Sequence, residues 1–238
     1  AQESRGLGDV YKRQVQAPAN YGLNPTVFTA DIEFAGQVVK LNVTDPVITA
    51  GVSIKKTGYA QTMNNNVMRW TVSGVRNDST TSLQSFYWRD TLPTDAVRLT
   101  RLVTGTYSTT QTYKVTFTTN LNSQWRTAYD NLSTAKNYTL DMSSAALGLA
   151  SNEYVTQFML SFGIVPAGFH QLTNATVDAQ TLYALTNGYK FTNKADVGGL
   201  LGGNWVQSIA RWTTSVYSHY VPAKPAAPKS PKLPRTGY

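Results

Sequence analysis

The chain has 238 residues, a formal net charge of +8, 41% hydrophobic and 14% charged residues, and no cysteine. The lack of cysteine excludes disulfides, thiol catalysis and Cys-ligated zinc. The charge is not a nucleic-acid footprint. Lys224, Lys229, Lys232 and Arg235 cluster at the C-terminus, residues 1–14 add one net charge, and the remaining excess of about +3 is scattered without a basic stripe of interleaved aromatics.

Charged residues fall well below the roughly 25% usual for soluble domains. Thr, Ser and Asn take their place, as expected of an extracellular β protein with Thr- and Ser-rich strand faces. Residues 1–14 contain DVYKRQ, which resembles an in-frame translation of a transposon adapter used in sequencing libraries. They are expected to be an artefact at the edge of a metagenomic fragment, outside the fold. Residues 15–46 hold two alternating stretches, TVFTADIEF and QVVKLNVT, around Gly36. That pattern predicts a hairpin, from a preceding module or as the first strands of the next.

Residues 47–119 read as one β-sandwich module. VSIKK is a short strand, and residues 58–66 are a turn region. In VMRWTVSGVR, Met68, Trp70 and Val72 share a face. Asn77-Asp78-Ser79 signals a turn. LQSFYWRD puts Phe86 and Trp88 on one face, and Pro93 stops that strand. Two further alternating runs, 97–103 and 113–118, complete a pattern of short strands at about ten-residue spacing.

Residues 120–221 are expected to form a second β-rich module. NYTLDM is a short strand, SSAALGLAS one or two helical turns or a loop, and YVTQFMLSF a buried strand. Asn187-Gly188 predicts a type I′ hairpin between residues 176–185 and 189–194. VGGLLGGN predicts a flexible glycine loop, and WVQSIARWTTSVY an amphipathic helix or, better supported by its Thr/Val/Tyr content, a long final strand. Residues 222–232 hold no large apolar side chain and predict a disordered, Pro-rich spacer. The predicted fold class is thus all-β: Ig-like antiparallel β-sandwich modules followed by a disordered tail.

Two stretches carry family resemblances. IKKTG followed by NNVMRWTVSGVRNDSTTSLQSFYWRDTLPTDAVRL resembles the Ig-like surface-repeat domain of the DUF-eleven type, with Trp70, Val72, Asn77, Leu83, Asp90, Leu92 and Pro93 at matching positions. The resemblance implies structural roles for them and no chemistry. Leu233-Pro234-Arg235-Thr236-Gly237 resembles the LPxTG sorting signal of Gram-positive surface proteins. It implies cleavage by a sortase between Thr236 and Gly237 and transfer of Thr236 to peptidoglycan or a pilin lysine. The family's signal continues into an apolar helix and a basic tail, which this sequence does not show.

The expected role is a cell-wall-anchored stalk or adhesin at the cell surface, a substrate of an enzyme and not itself an enzyme, with a host or glycan ligand in view. The alternatives are a pilus backbone subunit and a secreted carbohydrate-binding accessory module using Trp125 or Trp205. Nucleophilic catalysis finds little material: the histidines are His170 and His219, and no G-x-S-x-G elbow is present. Asp31 and Glu33 are too few for calcium; no metal site and no cofactor are expected. One covalent reaction has candidates. Pilin-like and adhesin domains of the resembled class join a Lys to an Asn or Asp beside a buried acid. Lys40, Lys55 or Lys56, Asn193, and Glu153 as the acid are the residues proposed for it.

Overall fold

The computed structural model describes residues 9–13, 16–17, 21–22, 24, 26–31, 36–40, 42–64, 66–183 and 185–217. The sorting motif at 233–237, the Pro-rich spacer and His219 lie outside these residues. The strands are β1 (Asp9–Lys12), β2 (Phe28–Asp31), β3 (Val52–Gly58), β4 (Gln61–Met63), β5 (Met68–Asn77), β6 (Leu83–Thr91), β7 (Val97–Val103) and β8 (Thr106–Tyr107). They continue as β9 (Thr112–Thr119), β10 (Arg126–Ser133), β11 (Thr139–Asp141), β12 (Val155–Val165), β13 (Gln171–Thr173), β14 (Ala175–Thr181), β15 (Lys190–Leu201) and β16 (Asn204–Tyr217). Among the described residues there is no helix.

Two sheets form the sandwich. One has seven strands in the order β10-β9-β12-β6-β15-β16-β4, the other five in the order β11-β7-β14-β5-β3. All pairings are antiparallel except β16 with β4. The alternation in the sequence decides which side chains meet between them. Met68, Trp70 and Val72 of β5, Phe86 and Trp88 of β6, and Phe158 and Leu160 of β12 are all buried in one core. Trp88 stacks edge-on against Phe158 at 5.6 Å, and its indole N–H donates to the Tyr107 hydroxyl at 2.8 Å, so this large ring is buried without an orphaned donor.

Several expectations change. The stretches 47–119 and 120–221 are not successive modules, because strands from both interleave in both sheets. Period-two alternation tells which face a residue occupies but not which strand lies beside it. The hairpin at 26–44 does not form: β2 pairs with β1, within residues 1–14, and residues 37–40 and 42–44 carry no strand. Asn187-Gly188 does not close a hairpin, since β14 and β15 belong to different sheets. A type I′ turn needs positive φ at both central residues. Gly202 and Gly203 supply it, at 55° and 85°, and join β15 to β16 with Leu201 opposite Asn204. The expected glycine loop is therefore mostly strand. Gly198 and Gly199 lie inside β15, where an added Cβ would come within 3.0 Å of the Tyr87 ring and of Leu83 Cβ respectively. They permit close approach of β6. Residues 205–217 are strand, and 143–151 form turns.

Asn77 fastens the end of β5. Fully buried, its Nδ2 donates to the carbonyls of Thr81 at 3.0 Å and Pro166 at 2.9 Å, while Oδ1 accepts from the Ser79 N–H at 2.9 Å. Asn77→Ala is expected to lower unfolding free energy by about 3 kcal/mol in a denaturant titration, because buried partners are left unsatisfied.

On the outer face of the five-stranded sheet, Asp178 of β14 takes Arg69 of β5 at 2.7 Å and Arg101 of β7 at 2.6 Å. Burial pushes its carboxyl up, but the Arg69 and Arg101 hydrogen bonds outweigh that and hold it below its ordinary value. A depressed folded-state value means stability present above the ordinary carboxylate range and lost as pH falls through the lower one. Asp178→Asn is therefore expected to lower Tm at pH 7. The gap to wild type should close as pH drops below about 4; a gap that stays constant in thermal melts would refute the clamp.

Candidate functional site

Three polar residues point into the core where apolar ones are expected. Lys56 shares the inward face of β3 with Ile54. Asp90 continues the inward face of Phe86 and Trp88 on β6. Asn193 alternates with Phe191 and Ala195 on β15. The sheets bring them together. In the seven-stranded sheet Asp90 lies opposite Ala195, which makes Asn193 its diagonal neighbour on the same face. From the five-stranded sheet, Lys56 reaches across and its ammonium nitrogen hydrogen-bonds Asp90 Oδ2. Both side chains are wholly removed from solvent, and Asn193 is 0% exposed.

The surroundings are dry and aromatic. Lys56 Nζ lies 5.8 Å from the centre of the Trp70 ring, and Trp70 meets Phe191 edge-on at 6.2 Å. Burial pushes the Lys56 amine well below its ordinary range, against the pull of the neighbouring Asp90. Burial likewise pushes the Asp90 carboxyl up, against Lys56 and the adjacent Asn193 amide. Both shifts favour the same proton position: on the carboxyl, leaving a neutral amine.

The pocket is also unsatisfied. Asn193 Oδ1 and Nδ2, Asp90 Oδ1 and Trp70 Nε1 are buried without a hydrogen-bond partner. The Asn193 amide is close enough to Asp90 to act on its charge, yet it makes no well-directed bond. Each orphaned group costs about 1–3 kcal/mol. Chemically, the arrangement sets an amine, a carboxamide and a carboxyl together, all shielded from water.

The other candidates separate. Lys55 is exposed on the outward face of β3, and Lys40 is exposed outside any strand. Glu153 is engaged elsewhere. It accepts from Thr119 at 2.7 Å and pairs with Arg126, and these hydrogen bonds hold its carboxyl below the ordinary value. The carboxyl beside Lys56 and Asn193 is that of Asp90. Its signal was present in the sequence, as a charged residue in register with Phe86 and Trp88 on an apolar face. His170 is spent on the backbone, its Nδ1 2.8 Å from the Gly168 carbonyl.

No protein-family profile and no curated protein sequence matches the chain. Among solved structures it is similar to the major pilin subunit BcpA of Bacillus cereus, with 12% identity and a TM-score of 0.36 over 89% of this chain and 55% of that one. It is also similar to the collagen-binding domain from a Staphylococcus aureus adhesin, with 12% identity and a TM-score of 0.30 over 68% of this chain and 99% of that one. The chain spans about half the length of the pilin it matches.

Proposed function

We propose that the chain is a load-bearing β-sandwich module of a bacterial surface protein, a stalk or adhesin, locked by an amide bond between Lys56 and Asn193. The observation that carries this is the buried Lys56–Asp90–Asn193 cluster with its orphaned amide. Lys56 Nζ, as the free amine, attacks Asn193 Cγ. A new Nζ–Cγ bond replaces the Cγ–Nδ2 bond, and Nδ2 leaves as ammonia with a proton given up by Nζ. Protonated Asp90 donates to Oδ1 during attack and relays the proton. The balance is amine plus primary amide to secondary amide plus ammonia. The product gives Asp90 an N–H and a carbonyl to bond, so the orphaned atoms of Asp90 and Asn193 gain partners.

The position of the link suits tension. It joins β3, which opens the sandwich, to β15 near its end. Force entering before Lys56 and leaving after Asn193 would pass through the bond and spare the strands between. By the loop-closure argument used for disulfides, a closure of this size is worth on the order of 5 kcal/mol. The intact folded chain is expected to weigh about 17 Da less than its sequence, one ammonia per molecule. Lys56→Arg and Asn193→Ala should each restore the full mass, and Asp90→Ala should stop or greatly slow bond formation. A tryptic peptide joining the two segments locates the link; full mass in the folded wild type overturns it.

In this reading the module is extracellular and wall-attached, and Leu233, Pro234, Arg235, Thr236 and Gly237 serve as the sortase substrate. Incubation with a sortase and triglycine is expected to yield a chain ending in Thr236 joined to glycine, and Leu233→Ala to abolish that product. An uncut wild-type chain would remove the anchoring step and leave the cross-linked module.

A further inference from the structure

The solvent face of the seven-stranded sheet carries a groove of about 720 Å³. It brings together the two tryptophans singled out in the sequence. Trp125, just before β10, and Trp205, at the start of β16, both line it and are 40% and 54% exposed. Register places them at opposite corners. Trp205 pairs with Leu200, which lies opposite Gln84 near the start of β6. Trp125 adjoins Arg126, which pairs with Phe117, in turn level with Phe158 and Asp90 near the end of β6. The groove thus crosses the sheet diagonally over about 24 Å of strand spacings, long enough for an extended chain.

Its floor is fixed before any ligand arrives. Asp196, 3% exposed, holds Arg89 through two hydrogen bonds of 3.1 and 3.0 Å and accepts from the Tyr87 hydroxyl at 3.1 Å. Gln207 Nε2 donates to the same hydroxyl at 2.9 Å. The Tyr87 ring lies against the bare backbone of Gly198 and meets Trp205 edge-on at 5.9 Å. Charge does not select an ionic partner: Arg89 is paired with Asp196, and Lys114 and Asp130 bring opposite charges to the same lining. Nor can the floor add a peptide strand, because β9, β12, β6 and β15 are each paired on both sides. What remains is aromatic faces at both ends with neutral donors and acceptors between them. That set matches a ligand with apolar ring faces and a hydroxyl rim.

We infer that this groove binds a neutral oligosaccharide chain, with Trp125 and Trp205 as stacking platforms and Gln207 and Tyr87 reading hydroxyls. The inference deepens the adhesin reading and rests on it. The mass measurement for the cross-link reads independently, so failure here leaves that reading standing. The test is calorimetric and fluorescence titration of the intact chain with cellohexaose, xylohexaose and chitohexaose, alongside a triple-helical (Gly-Pro-Pro) repeat peptide and a heparin hexasaccharide. Saturable binding of at least one neutral hexasaccharide is expected, with intrinsic tryptophan emission changing on binding. Trp205→Ala and Trp125→Ala should each weaken it about tenfold or more with Tm unchanged, both rings being surface-exposed. Gln207→Leu, which keeps both rings, should weaken it too. Binding of none of the three neutral sugars, binding confined to the peptide or to heparin, or affinity undiminished in the tryptophan variants would overturn the assignment.

Discussion

The buried contact between Lys56 and Asp90 is the constraint the sandwich is built around. Two ionisable groups in a water-free core are tolerated only when paired or neutralised, and here each sits on a different sheet. The sheets can therefore close in one register. A single-residue slip of β3, β6 or β15 would turn Lys56, Asp90 or Asn193 to solvent and strand the others in the core. The same slip in β5, β6 or β12 would turn Trp70, Trp88 or Phe158 outward, so apolar packing and the polar contact specify the same register.

The same economy of charge governs the outer faces with the opposite outcome. Asp178 and Asp196 are nearly as hidden as Asp90, but each lies under arginine guanidinium groups that reach from neighbouring strands and still touch water. Desolvation is partial there, and at Asp178 the arginine hydrogen bonds outweigh it. Between the sheets desolvation is complete, and it pushes the Lys56 amine down and the Asp90 carboxyl up. The fold thus separates carboxylates that tie strands together at the outer faces from one enclosed between the sheets. β6 makes both possible: it presents Asp90 inward and Arg89 and Tyr87 outward, and it lies between β12 and β15 so that neither face is at an edge. Its close approach to β15 depends on Gly198 and Gly199, which look from the sequence like loop residues and work as strand.

Much of this was legible locally. Alternation placed β3, β5, β6, β7, β9 and the strand at Val155–Val165 to within about three residues at each end, because side-chain direction has a period of two whatever the partner. It also carried the phase that turns the buried polar cluster inward: Lys56 with Ile54, Asp90 with Trp88, Asn193 with Phe191. The sequence offered Glu153 and not Asp90 as the buried acid, since a carboxylate's burial depends on what the other sheet lays over it. At Glu153 the cover is Arg126 and solvent; at Asp90 it is Lys56 and aromatic rings.

The sequence by itself determined an all-β chain without cysteine and the inward and outward faces of most strands. Tertiary structure alone decided that one sandwich replaces two modules, that Gly202-Gly203 and not Asn187-Gly188 turns the hairpin, that Asp90 meets Lys56 between the sheets, and that Trp125 and Trp205 share a groove. The reason is common to all four. Period-two patterning is a property of each strand, whereas strand order, sheet assignment and the dryness of a buried site come from pairings between residues far apart in the chain, and those are settled only when two sheets close over each other.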